Sequence, residues 1–275
     1  GWLACLATSR DLLNWERHGT VLDFGAKDAP DSAAAGSPWV IHDGHKWHMF
    51  YVGTPNSNPP PDGVPYYPYL TLKATAPELK GPWTKHYDIR PINLQPDSWR
   101  ATTASPGFVI KHDDEYLQFF SGSRKHTEIT ISRTLGLAKT RDLDSEWKVE
   151  PEPLFPPEEQ IENSSVYFEP TNQLWFLFTN HIGILEGPDG DPVEYTDSIW
   201  VYWSDNPRKW NADDKAVVLD GENCSWANHC IGMPSVIPHE GKLALLYDAC
   251  HGDQISHMKR DIGLAWLDLP LKPPA

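Results

Sequence analysis

The sequence predicts an all-β chain, a five-bladed β-propeller whose first blade is incomplete at the N-terminus. Three observations carry this prediction. A hairpin-forming segment recurs four times, a second two-strand segment recurs five times, and no stretch sustains the apolar period of a helix. The 26 prolines and 19 glycines punctuate the chain every few residues, which suits short strands joined by turns.

The hairpins occupy residues 38–51, 106–120, 165–178 and 234–247, each a hydrophobic strand, a tight polar turn and an aromatic or aliphatic strand. Their turns read His42-Asp43-Gly44-His45, His112-Asp113-Asp114-Glu115, Glu169-Pro170-Thr171-Asn172 and His239-Glu240-Gly241-Lys242. Such residues close hairpins because they tolerate the positive φ and local hydrogen bonding of a tight turn. The strands are apolar on both faces, as strands buried between neighbouring sheets are.

The second unit is a short strand, a polar turn and often a tryptophan opening another strand. It appears at 3–15, 70–83, 135–147 and 199–210, and a last copy at 261–268 lacks the outer strand. Hairpin plus second unit gives the four-stranded antiparallel blade of a propeller. The expected organisation is one domain over 1–275 with blades at about 1–24, 37–90, 105–155, 162–220 and 232–272. The first second-unit has no hairpin, so its partner is expected before Gly1, or residues 1–24 pair with the short C-terminal blade.

Composition limits the partners. With 38 acidic and 23 basic residues the formal charge is -15, and no Arg/Lys run occurs. Nucleic acid and anionic membranes both demand a basic footprint, so neither is an expected partner. No run of about 18 apolar residues is present to span a bilayer. The four cysteines, Cys5, Cys224, Cys230 and Cys250, fit neither a disulfide framework nor a zinc spacing and read as small buried or loop thiols. Thirteen tryptophans suit sugar-binding faces and outer propeller strands alike.

The short turns lie at one end of the blades. The connections at the other end are long: 53–69, 121–132, 180–198 and 248–260 within blades, and 23–36, 90–103, 155–161 and 220–232 between them. Long ordered loops in a compact domain carry function, which places the expected site in a pocket at that end, over the central axis. Just before each inner strand stand Ser37-Pro38, Ser105-Pro106, Glu162-Asn163-Ser164 and Gly232-Met233-Pro234, and Glu162 is the one carboxylate among them. A lone, partly desolvated glutamate there has the character of a general acid.

Residues 7–19 and 37–51 resemble glycoside hydrolase family 43 and its five-bladed relatives among arabinofuranosidases, xylosidases, fructosidases and mannoside phosphorylases. The resemblance extends over nearly the whole chain as an architecture. It implies three catalytic carboxylates: a base Asp before the first inner strand, a second Asp after an Ala-Pro pair in the next blade, and an acid Glu before a later inner strand. Glu162 matches the acid. Trp39 stands where the second Asp is expected, and the base falls before Gly1.

Glycoside cleavage normally uses two carboxyls. Candidates for the missing ones are Asp28, Asp31, Asp97, Glu194, Asp197, Asp248 and Asp261, with Asp248 and Asp261 foremost because they bound strands of the last blade. Substrate contacts are expected from Ser37, Trp39, Arg100, Ser105, Arg124, Asn163, His181, Trp226, His229, His251 and Arg260, with Lys125, His126 and His257 nearby in sequence. Arginine forks suit a uronate, a sulfate or the phosphate of a phosphorylase.

The expected function is hydrolysis of terminal glycosides from plant or algal oligo- or polysaccharides. A phosphorylase using inorganic phosphate and a non-catalytic sugar-binding propeller are the alternatives. No cofactor is expected beyond the axial calcium that some relatives carry, and a periplasmic or extracellular bacterial setting is favoured over the cytoplasm.

Overall fold

The computed structural model describes residues 1–60, 63–127, 130–187, 190–256 and 258–274. Among these the fold is all-β. A single 3-10 turn at Pro157–Glu159 is the one helical element.

The strands form sheets strictly in chain order. Strands β1 (Ala4–Ser9) and β2 (Trp15–Leu22) make a two-stranded sheet. Strands β3 (Ala34–His42), β4 (Trp47–Thr54), β5 (Leu70–Ala76) and β6 (Thr84–Lys85) make a four-stranded blade. A second is built from β7 (Thr103–His112), β8 (Glu115–Lys125), β9 (Ile131–Thr140) and β10 (Lys148–Val149). The third comprises β11 (Ile161–Glu169), β12 (Leu174–Glu186), β13 (Pro192–Ser204) and β14 (Lys215–Asp220). The last has three strands, β15 (Gly232–His239), β16 (Lys242–Ala249) and β17 (Asp261–Asp268).

This is the sequential blade arrangement of a β-propeller, but with four blades where the repeat count implied five. The physical reason is the missing hairpin: residues 1–24 supply only two strands, whereas the four repeated hairpins each seed a blade as β3–β4, β7–β8, β11–β12 and β15–β16.

The chain groups into two compact units, residues 1–124 with 138–150, and residues 125–137 with 151–275. In the first unit one apolar cluster joins Leu22, Met49, Tyr51 and Leu72, and another joins Phe50, Ile92, Phe120 and Trp147. In the second, Phe176, Phe178, Ile199 and Val201 of the third blade pack with Val236, Leu243, Leu245 and Tyr247 of the last. The alternation of strand side chains explains this: every other residue of β12 and β13 faces β15–β17.

One irregularity recurs in every blade and positions the site. The first strand slips past its partner between Gly36 and Trp39, between Ser105 and Phe108, between Glu162 and Ser165, and between Gly232 and Ser235. In each case two residues oppose one, which is a β-bulge. The first bulged residue is left-handed in three blades: Ser37 (φ 45°), Asn163 (φ 58°) and Met233 (φ 51°). The segments expected just before the inner strands thus lie inside them. Bulges bend a strand and re-aim its side chains, and they gather next to functional sites.

Candidate active site

The residue preceding the bulge is Gly36, Ser105, Glu162 or Gly232, so the third blade alone offers a carboxylate there. Glu162 is held by its backbone, whose carbonyl accepts a 2.7 Å hydrogen bond from Thr179 Oγ1. Its side chain is not isolated, as the sequence suggested. Arg133 Nε approaches Glu162 Oε2 at 3.5 Å, while Arg133 Nη2 donates to Glu194 Oε2 at 2.6 Å. The arginine side chain is 9% exposed, and the two glutamates are 32% and 26% exposed. One guanidinium spanning both carboxylates sets their bridged oxygens no more than about 8.5 Å apart, below the upper limit of the spacing between glycosidase carboxyls.

The partners of the bulge supply a second cluster. Asn163 Nδ2 donates to Asn180 Oδ1 at 2.8 Å, and the Met233 N–H reaches the same oxygen at 3.3 Å. Asn180 is fully buried and pairs across the ladder with Glu162, yet its Nδ2 has no hydrogen-bond partner among the described residues. A buried donor of this kind is expensive unless something else meets it.

In the last blade, Asp248 pairs across the ladder with Gly232, the position equivalent to Asn180 beside Glu162. Arg260 Nη1 donates to Asp248 Oδ1 at 2.9 Å and to Thr196 Oγ1 at 3.2 Å. Burial works against the charge on this guanidinium, but Asp248 outweighs it and holds the arginine above its ordinary pKa. Asp261 differs. Its side chain is 72% exposed and its partner, His251 Nε2 at 3.1 Å, is 66% exposed. Water screens that pair.

The other predicted residues fall into local networks. His181 Nδ1 meets Asp197 Oδ1 at 2.7 Å, and its ring stacks on Trp200 at 4.3 Å and 4°. Trp226 lies 4.9 Å from His251 and donates its indole N–H to Tyr247 Oη at 2.9 Å. His229 sits edge-on to Tyr195 at 5.2 Å. His126 meets Ser132 Oγ at 2.9 Å. In the first unit, Trp39 packs edge-on against Phe108 at 5.3 Å and Ser105 is buried beside its bulge. Ser37 carries the left-handed backbone of the first bulge. Arg100 is bound to Gln95 Oε1 at 2.8 Å and to the Asn93 carbonyl, and Arg124 reaches the Asp97 carbonyl at 3.2 Å.

Asp31 is wholly buried, held by Lys85 Nζ at 2.6 Å, Tyr51 Oη at 2.9 Å and Tyr87 Oη at 3.0 Å, so it is closed to a substrate. His257 lies outside the described residues. Cys5, Cys224, Cys230 and Cys250 are free thiols, three of them buried. Among the described residues no three His, Cys, Asp or Glu side chains gather to hold a metal. No described helix is long and apolar enough to cross a membrane.

Arg133 was missed by sequence reasoning, because Ser132-Arg133 looks like the end of a polar loop rather than the start of β9. The signal that could have found it is the strand following it, Thr134 to Ala138, in register with the other second units.

No protein-family model matches the sequence, and neither does any curated protein. Solved structures do match. A glycosyl hydrolase from Bacteroides ovatus aligns over 88% of this chain and 69% of its own, at 14% identity and a TM-score of 0.64. A thermostable family-43 glycoside hydrolase aligns over 87% and 70%, at 16% identity and 0.62. A β-fructofuranosidase from Schwanniomyces occidentalis aligns over 84% of this chain but 43% of its own, at 14% identity and 0.59. The chain shares the fold of the family-43-like β-propeller glycoside hydrolases.

Proposed function

We propose that the chain is a glycoside hydrolase releasing terminal sugars from plant or algal oligo- and polysaccharides, with Glu162 as general acid. The observation that carries the reading is the Glu162–Arg133–Glu194 group at the bulge of the third blade, on a fold whose solved examples are named glycoside hydrolases.

Glu194 neutralises the guanidinium through the short contact. The longer approach leaves the Glu162 oxygens open toward a leaving-group oxygen, while Arg133 fixes their direction. Proton donation by a positioned carboxyl contributes about 10²–10⁴-fold to such a cleavage. Asp248 is the second carboxyl in this reading. It occupies the ladder position of the last blade equivalent to Asn180, and Arg260 holds it in place. Trp226 and His251 offer a ring surface. Asp261, exposed beside His251, belongs to the rim.

The test is product release from a panel of plant and algal oligosaccharides, with and without inorganic phosphate, for wild type and for Glu162→Gln. Phosphate-independent release of a free sugar, lowered by about 10²–10⁴-fold in the variant, is the expected result. Turnover that requires phosphate makes the chain a phosphorylase. Tight binding of oligosaccharide without product makes it a binding module.

A further inference from the structure

In the first unit a cavity of about 280 Å³ is lined by Leu70, Thr71, Arg90, Ile92, Asn93 and Leu94. Its walls are aliphatic on three residues, and its one charged lining group is Arg90. That side chain is half-buried, and among the described residues no hydrogen bond or ion pair reaches it. Asp31 is held by Lys85 and two tyrosines, and Glu146 accepts from Asn93 Nδ2 at 2.7 Å. Arg90 lies close enough to that first group to be felt by the Tyr51 hydroxyl.

The backbone adds donors. None of the N–H groups of Ile92, Asn93 and Leu94 meets an acceptor among the described residues. The Thr71 hydroxyl is itself donated to the Ala104 carbonyl at 2.6 Å, so it brings no free proton to the cavity. What remains is a space with one cationic lining group and apolar walls, in a chain whose formal charge is -15. A half-buried cation without a counter-ion is costly, and an oxyanion meeting its planar fork relieves that cost. Drug-sized ligands fill roughly 300–1,000 Å³, so this space takes one small ring or less.

We infer that this cavity binds a small oxyanion ligand, a carboxylate or phosphate on a body no larger than one sugar ring, through the Arg90 guanidinium and the 92–94 backbone. The apolar face of the ligand rests on Leu70, Ile92 and Leu94. The inference does not depend on the role of Glu162, which lies in the other unit.

Calorimetric titration with glucuronate, inorganic phosphate and neutral methyl glucoside tests it. At least one of the two anions should bind at about millimolar strength or better, at least about tenfold tighter than the neutral sugar. Glucuronate alone identifies a carboxylate ligand, and phosphate alone a phosphate ligand. Arg90→Gln should weaken the anion at least about tenfold, while Arg141→Gln, at an exposed position, should not change it. Leu94→Trp fills the space with the charge retained and should abolish binding, which keeps the test open should Arg90→Gln fail to fold. Neither anion exceeding the neutral sugar overturns the inference. So does unchanged anion binding in Arg90→Gln or Leu94→Trp, or equal weakening in Arg141→Gln.

Discussion

Replacing Asp144 by alanine strands a buried cation, and the cost can be worked from its surroundings. Lys73 is fully buried, and its ammonium meets Asp144 Oδ1 at 2.5 Å and the Leu143 carbonyl, with the Phe50 ring 5.9 Å away. Burial pushes the Lys73 pKa below its ordinary 10.5, and Asp144 restores part of the loss. Asp144 is also held by Lys46 at 2.8 Å, and its own pKa falls to about 2 despite some burial, through its bonds to the two lysines.

Removing one partner of a fully buried pair costs about 3–5 kcal/mol. The Asp144 side chain is 41% exposed, so water screens that pair and the expected loss for Asp144→Ala is about 2–3 kcal/mol. Lys73→Met keeps the length of the side chain and removes the charge that burial penalises, leaving Asp144 with Lys46. Its expected cost is within about 1 kcal/mol, and it should cancel most of the Asp144→Ala loss in the double variant.

The pH dependence follows. With the folded pKa of Lys73 depressed, the unfolded chain binds more protons between that value and 10.5, so stability rises with pH through that window. Asp144→Ala should steepen the rise. Urea denaturation at pH 7 and upward measures both effects. An Asp144→Ala stability within about 0.5 kcal/mol of wild type refutes the reasoning, as does Lys73→Met being equally damaging.

Three further predictions concern single positions. His48 is buried, its pKa is lowered chiefly by burial, and the unfolded state alone binds a proton between that value and 6.5. Stability should be lost as pH falls below about 6.5, and His48→Gln should flatten that loss in acid denaturation. Arg133→Met should cut turnover by about tenfold or more by releasing Glu162, whereas Arg133→Lys, a point charge without the fork, should recover part of it, read as kcat against KM. A Cβ on Gly122 would come within 2.2 Å of the Trp99 ring, which stacks on Phe120 at 5.4 Å. Gly122→Ala should therefore cost about 1–3 kcal/mol by overpacking, measured by thermal unfolding.

The blades were legible because their signal is local. Each hairpin carries its turn at a fixed place between apolar strands, and the structure pairs His42 with Trp47, His112 with Glu115 and His239 with Lys242 across those turns. Two strands without a hairpin could not be counted correctly, because a blade is defined by pairing and not by repeat number. Glu162 stood out as the one acidic residue in a repeated position. Its surroundings did not, since Arg133 and Glu194 come from positions 29 and 32 residues away in the chain, Arg133 from β9 of one sheet and Glu194 from β13 of the next, and only the packing of the two sheets brings them together.

The carboxylates separated for the same reason. Asp31, Asp248 and Asp261 look alike in a polar loop, yet the first is sealed under two tyrosines, the second is fixed by a half-buried arginine and the third lies open to water. The bulges were half visible, as Ser-Pro, Asn-Ser and Met-Pro steps. The left-handed backbone at Ser37, Asn163 and Met233 follows from strand register and not from residue preference, since serine and methionine give no hint of it.

The central claim is that Glu162 protonates the leaving group, and the most direct measurement is the leaving-group dependence of Glu162→Gln. Wild type and variant are compared on a natural disaccharide and on a dinitrophenyl glycoside of the same sugar, whose leaving group needs no proton. The account predicts a loss of about 10²–10⁴-fold on the disaccharide and little loss on the activated glycoside. Equal losses on both substrates, or none on either, would contradict it.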